Sequence, residues 1–149
     1  INLFLAALED FNRSATSTNH NQRHHGYYGA MIRALNYHIA AIDSIVKQAS
    51  INMRFVFAGV DSSAAPSKDC TSMCAIYTAM AVAYFCAADT IEASSLLTRV
   101  FKSVEGVDLV GFSGLMLALT EDTGLAQGPL THSSIFARYS LIALYAALV

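Results

Sequence analysis

A run of 19 residues without a charged side chain, from Cys70 to Ala88, constrains the fold of this chain more than any other feature. A segment this long without charges is either buried in protein or spans a lipid bilayer, since a spanning helix needs about 20 mainly apolar residues. The run contains no leucine, carries several hydroxyl groups, and is bounded by Asp69 and Asp89 rather than by basic residues. This favours a buried core helix packed on Ala30–Ala49 and Thr131–Val149, with a membrane span at 70–88 as the alternative.

The low charge of the whole chain excludes several classes of protein. Only 13% of the 149 residues are charged, about half the usual share of roughly 25%, and 54% are hydrophobic. A net charge of −2 argues against a nucleic-acid clamp, which needs a basic face, so we expect no sequence-specific nucleic-acid binding. The chain is too apolar for intrinsic disorder. We expect one helical domain over residues 1–149, as part of a longer polypeptide or of an assembly.

Apolar periodicity predicts a mainly α fold. Ala30–Ala49 places apolar residues at three- and four-residue steps, with most polar residues on other faces. Thr90–Val104 has the same pattern. Further helices are predicted at Asn2–Phe11, Leu115–Leu119 and Thr131–Val149, and the polar stretch Asn12–Gly26, the segment Asp61–Asp69 and the turn Thr123–Pro129 are predicted as connections.

One segment has the period of a strand, which adds a minor β component to the predicted fold. Ile51, Met53, Phe55 and Phe57 alternate with other residues, and β-branched or aromatic types dominate. Within the chain only Val107–Phe112 is a candidate partner, and it is short and broken by glycine. An unpaired edge promotes aggregation unless it is covered, so we expect another subunit, or further sequence, to lie against this strand.

The histidines suggest a metal site only weakly. His20 and His24 are four residues apart, a spacing that would put both on one face of a helix. Their segment has a loop-like composition, however, and no Asp or Glu lies nearby in sequence to complete a ligand set. We therefore predict no metal and no cofactor, and we expect solvated loop histidines, some of which contact a neighbouring subunit with a pH dependence near 6.

The stretch Val107–Leu119 resembles the strand, turn and helix around the nucleophile of the α/β-hydrolases. In that family a G-x-S-x-G elbow follows an apolar strand. Gly111 and Ser113 match the elbow, whereas Leu115 stands in place of the last glycine. The resemblance covers about a tenth of the chain and implies a hydrolase with Ser113 as nucleophile. Asp122 and His132 follow Ser113 too closely for the usual order of acid and base.

Low charge, a neutral-polar loop and an unpaired strand favour a structural, self-assembling protein over an enzyme. A largely helical capsid or shell subunit has such a composition, and its partners would be copies of itself or other subunits. We predict no catalytic residues, and the expected interface residues are Phe55, Phe57, Tyr27, Tyr28, His24 and His25. The alternatives are a subunit of a membrane complex with a spanning helix at 70–88 and a hydrolase-like enzyme using Ser113.

The cysteine pattern favours a reducing environment. Cys70 and Cys74 are one helical turn apart, where a disulfide would be strained, and a count of three leaves one thiol unpaired in any case. We therefore expect reduced thiols, including Cys86, and an intracellular or virion location.

Overall fold

The computed structural model describes residues 1–15, 19–64, 67, 69–118, 120–127 and 141–142. Within these residues the chain is mainly helical and contains no sheet, so the predicted mainly α fold is confirmed. The five helices are α1 (Asn2–Ser14), α2 (His20–Met53), α3 (Met73–Ala79), α4 (Thr90–Lys102) and α5 (Thr123–Gln127).

Two helices enter the stretch Asn12–Gly26 that the sequence predicts as a loop, so that prediction is wrong for residues 12–14, which belong to α1, and for residues 20–26, which begin α2. A capping box starts the helix: the side chain of Asn19 accepts from the backbone N–H of Gln22 at 2.9 Å, and the Gln22 side chain accepts from the backbone N–H of Asn19 at 3.3 Å. The ring of Phe11 packs directly on Gly26 of this helix, where a Cβ would lie 2.1 Å from the ring. This glycine therefore permits close helix packing.

The core forms where α1 and α4 pack against the first part of α2. Apolar side chains from α1, α2, α3 and α4 meet there, together with single residues from the connections and α5. The rings of Phe4 and Phe101 lie 5.3 Å apart and join α1 to α4. The largest fully buried side chains include Tyr27, Tyr77, Phe101, Leu8 and Met31.

The uncharged run 70–88 is not one helix, which corrects the prediction of a central helix there. Only α3, seven residues long, is helical, and it packs against α1 and α5. Left-handed backbone at Ala81 (φ 64°) and Cys86 (φ 77°) ends the regular structure, and the N–H of Val82 bonds back to the carbonyl of Tyr77 at 3.0 Å. Met80 and Val82, which follow α3, are nevertheless buried. The absence of charged residues in the run is therefore explained by irregular chain that packs into the core, and not by a single long helix.

In the described residues, no helix combines the length and the apolar character that crossing a membrane requires.

The predicted strand Ile51–Phe57 is also wrong. Residues 51–53 complete α2, and Arg54 ends it in the left-handed conformation (φ 57°). Residues 55–59 form neither helix nor strand in the described chain. The predicted partner segment does pair, but with Val60: the Val60 N–H bonds to the carbonyl of Asp108 at 2.9 Å, and the Val110 N–H bonds to the carbonyl of Val60 at 3.0 Å. This is a single parallel bridge between Val60 and Leu109.

Local hydrogen bonding changes the predictions near the end of the chain. Residues 123–127 form α5 instead of a turn, because the buried Asp122 accepts from the N–H groups of Gly124 and Leu125 at 3.0 Å each. Its other oxygen accepts from the N–H of Met73 at 2.7 Å, which ties α5 to α3. Residues 115–118 are irregular where a helix is predicted.

The predicted helix Thr131–Val149 lies outside the described residues, except for 141–142, which are helical.

Candidate functional site

Two histidines of α2 and one glutamate of α4 form a compact cluster of potential ligands. His20 and His24 are one turn apart, and Glu92 lies in the first turn of α4. The Nε2 atom of His20 is 3.2 Å from Oε2 of Glu92, and the Nδ1 atom of His24 is 3.4 Å from Oε1. The three ligand atoms all lie within 4.8 Å of one another. We call these three residues the His–Glu cluster.

The His–Glu cluster is positioned by the packing of α2 on α4. The capping box at Asn19 fixes the first turn of α2, which carries His20. Further along the helices, the guanidinium of Arg99 lies over the ring of Tyr28, 5.2 Å from its centroid, and gives a second polar contact between α2 and α4. The two imidazole rings lie 4.3 Å apart and stack at an angle of 38°.

A cavity of about 190 Å³ adjoins the two imidazoles. Arg23 and Asp89 line it together with His20 and His24, so it has one positive and one negative side chain besides the imidazoles. Tyr27 forms its inner wall, and burial raises the pKa of this phenol above its usual value although the nearby Arg23 opposes the shift. The cavity therefore keeps a neutral phenol beside the cluster at physiological pH.

The six predicted interface residues fall into two groups, four in the first part of α2 and two in the chain that follows α2. Tyr27 is 1% exposed and belongs to the core, Tyr28 is half-buried under Arg99, and His24 is half-buried against Glu92. His25 is exposed.

The aromatic pair after α2 forms the second group. Phe55 is exposed, and Phe57 is partly buried.

Glu92 is the residue that sequence reasoning missed. It lies 72 positions after His20, so no local spacing could reveal it. The only signal in the sequence was the four-residue spacing of the two histidines, which becomes meaningful once residues 20–24 are helical.

Ser113, the nucleophile implied by the hydrolase resemblance, lies in a tight turn anchored by Asp61. Its hydroxyl donates to the carbonyl of Val110 at 2.9 Å and accepts from the N–H of Ser62 at 3.4 Å. Asp61 accepts from the backbone N–H groups of Phe112 at 3.2 Å and Ser113 at 3.0 Å. Both of these hydrogen bonds of the Ser113 hydroxyl therefore go to backbone groups.

Asp61 also accepts from the hydroxyl and the N–H of Ser63, and these bonds are the main reason why its pKa falls from 3.8 to about 2. Gly111, at φ +67°, lets the turn approach this carboxylate, since a Cβ there would lie 2.4 Å from Oδ2 of Asp61. The turn is thus held by a carboxylate that stays ionised through the physiological range.

The cysteines lie in different environments. Cys70 is exposed and its sulfur accepts from the hydroxyl of Ser67 at 3.2 Å, whereas Cys86 is buried. Burial raises the pKa of the Cys74 thiol, which disfavours the nucleophilic thiolate form. The reduced state of the three residues stays a prediction.

A long apolar surface runs along the second part of α2 and into the chain that follows it. We call residues 42–56 the exposed apolar segment. Asp43 and Lys47 pair with each other across one helical turn at 2.8 Å, so Arg54 is the one remaining charged side chain in the segment. Its exposed large apolar residues are Ile42, Ile45, Ile51, Met53, Phe55 and Val56.

Comparison with known proteins places the chain in a family. The family model described as Uncharacterised ACR (DUF711) matches residues 5–142. The chain belongs to this family. The DUF711 match begins within α1, covers α2 to α5, and includes the His–Glu cluster and the exposed apolar segment. The searches of curated proteins and of solved structures each found no match.

Proposed function

We propose that this DUF711 chain is a structural subunit that associates with copies of itself through the exposed apolar segment. The observation that carries the proposal is the exposure of Ile45 (69%), Met53 (74%) and Val56 (93%) on one continuous stretch of chain. Exposed apolar patches that extend over several turns mark protein contacts more often than free surface.

The charge distribution favours a second copy as the partner. In a two-fold contact the same patch lies on both sides, so a patch with several like charges would repel itself. The exposed apolar segment avoids this repulsion because Asp43 and Lys47 neutralise each other within one chain. When two such segments meet, each contributes apolar side chains and one charge without a partner in the segment, that of Arg54.

The low charge of the whole chain supports the same function. Only 13% of the residues are charged, and subunits of larger assemblies tolerate this because much of their surface is covered. No observation on the described residues favours the membrane complex or the hydrolase in the same way.

Sedimentation velocity over a range of protein concentrations tests the proposal. The wild type is expected to form dimers or larger species, whereas Ile45→Lys and Val56→Lys, which place a charge at the contact, should each weaken association at least tenfold. Tyr84→Lys is the matched control, because Tyr84 is an exposed apolar residue (61%) outside the segment and its replacement should leave the mass unchanged. A wild type that stays monomeric at every concentration, or lysine variants that associate normally, would contradict the proposal.

A further inference from the structure

We infer that His20, His24 and Glu92 form a binding site for one divalent transition-metal ion, with zinc as the best-matched probe. Two imidazoles and one carboxylate are a donor set that zinc uses in proteins with an open coordination position. Imidazole also suits copper, nickel and iron, so the donor set defines a class of ions that zinc represents. The site is independent of the association proposed above, because none of its ligands belongs to the exposed apolar segment.

The distances within the cluster agree with tetrahedral coordination. Zinc binds nitrogen and oxygen at about 2.0–2.2 Å, which places neighbouring tetrahedral ligand atoms about 3.3–3.5 Å apart. The two measured nitrogen–oxygen distances, 3.2 Å to His20 and 3.4 Å to His24, lie close to this spacing. The third separation is at most 4.8 Å, so a modest rotation of one exposed imidazole completes the triangle.

The ligands come from two helices, α2 and α4, and are accessible to an ion from solvent. His20 and Glu92 have half-exposed side chains, and His24 lies deeper, at 16% exposure. Among the described residues, Glu92 is paired with the two histidines and with neither lysine nor arginine, so its charge is available to a cation. The cavity beside the two imidazoles, which Arg23 and Asp89 also line, has room for water or a small anion as a further ligand.

Metal binding would join α2 to α4 across 72 positions of sequence and so stabilise the fold, because the unfolded chain cannot hold these ligands together. A free zinc concentration one hundred times Kd should raise the midpoint of thermal unfolding by roughly 5–10 °C in a chain of this size. This shift is measurable without any assay of activity.

Isothermal titration calorimetry of the metal-stripped full chain with zinc alone is the direct test. We expect one equivalent of zinc to bind, and His24→Ala and Glu92→Gln each to weaken binding at least tenfold. His38→Ala is the matched control, because His38 is an exposed histidine on the same helix outside the cluster, and this variant should bind zinc like the wild type. Circular dichroism of each variant before zinc is added verifies that it is folded.

Cobalt(II) absorption separates this site from binding at a cysteine. The His–Glu cluster contains no sulfur, so the cobalt complex should show ligand-field bands without thiolate charge transfer, and Cys70→Ser should leave the spectrum unchanged. A thiolate band that disappears in Cys70→Ser would assign the metal to the exposed thiol and overturn the inference. So would zinc binding that is equally strong in His24→Ala and Glu92→Gln, or no thermal shift with saturating zinc.

Discussion

The two halves of α2 carry the same apolar stripe but meet different surroundings. In the first half, Met31, Leu35 and Ile39 are buried against the rest of the core. The stripe continues at Ile42 and Ile45, which lie at the next three-residue steps, yet both are exposed. A helix of 34 residues is about 51 Å long, whereas α1 and α4, with 13 residues each, reach about 20 Å. Periodicity therefore predicts a helix, and partner length decides how much of it is covered.

The largest expected effect compares two isoleucines of the same stripe. Ile39 is 5% exposed and Ile45 is 69% exposed. Ile39→Ala should lower the free energy of unfolding by about 2–4 kcal/mol, since it removes buried methyl groups and leaves a cavity. Ile45→Ala should change it by less than about 0.5 kcal/mol in the monomer.

Urea denaturation at a dilution where the chain is monomeric measures both effects. If the two variants lose equal stability, the second half of α2 is covered within the chain, and the comparison between the halves fails.

A pair of glycines tests the close packing of the first half. Gly26→Ala should destabilise the fold by about 1–3 kcal/mol, because the new methyl group would overlap the ring of Phe11. At Gly29 the nearest atom to a new Cβ is Nη1 of Arg33, at 3.1 Å, which is the far end of a flexible side chain. Gly29→Ala should therefore stabilise the helix slightly, by about 0.4–1 kcal/mol.

Thermal unfolding of the two alanine variants gives the sign of each change. Equal stabilisation in both would show that Phe11 does not lie on Gly26 and that α1 packs elsewhere.

The smallest expected effect concerns Asp61, five residues after the end of the exposed apolar segment. Its pKa of about 2 in the folded protein is lower than its ordinary value of 3.8, so the ionised carboxylate stabilises the folded state above about pH 4. This contribution is lost as the pH falls from about 4 to 2. It should be a fraction of a kcal/mol, since the group is exposed to solvent.

Asp61→Asn should remove that part of the pH dependence, whereas Glu9→Gln, at an exposed carboxylate on α1, should retain it. Denaturant midpoints measured at several pH values between 2 and 5 give the comparison. A wild type and an Asp61→Asn variant with parallel pH profiles would show that the hydrogen bonds from Ser63 and from the Phe112–Ser113 turn do not stabilise the ionised carboxylate.

The sequence predicted the helices well where periodicity extended over several turns. Ala30–Ala49 lies within α2, and Thr90–Val104 differs from α4 by two residues at its end. The predictions from sequence failed where local hydrogen bonds or backbone conformation override the composition of a segment. Asn19 starts a helix in a polar stretch, and left-handed backbone at Ala81 and Cys86 breaks an apolar one.

The candidate sites likewise combine features that the sequence predicts with features that only the tertiary structure shows. The sequence by itself determined that the Ala30–Ala49 part of α2 is helical, that His20 and His24 would share a face if their segment were helical, and that few residues are charged. The first two properties depend on neighbours within one or two turns, and the third is a matter of composition. Only the tertiary structure brought Glu92 to the histidines and left Ile45 uncovered, since both depend on which helices pack together and how far they reach. Contacts between distant segments are set by the packing of the whole core, and no local pattern of residues encodes them.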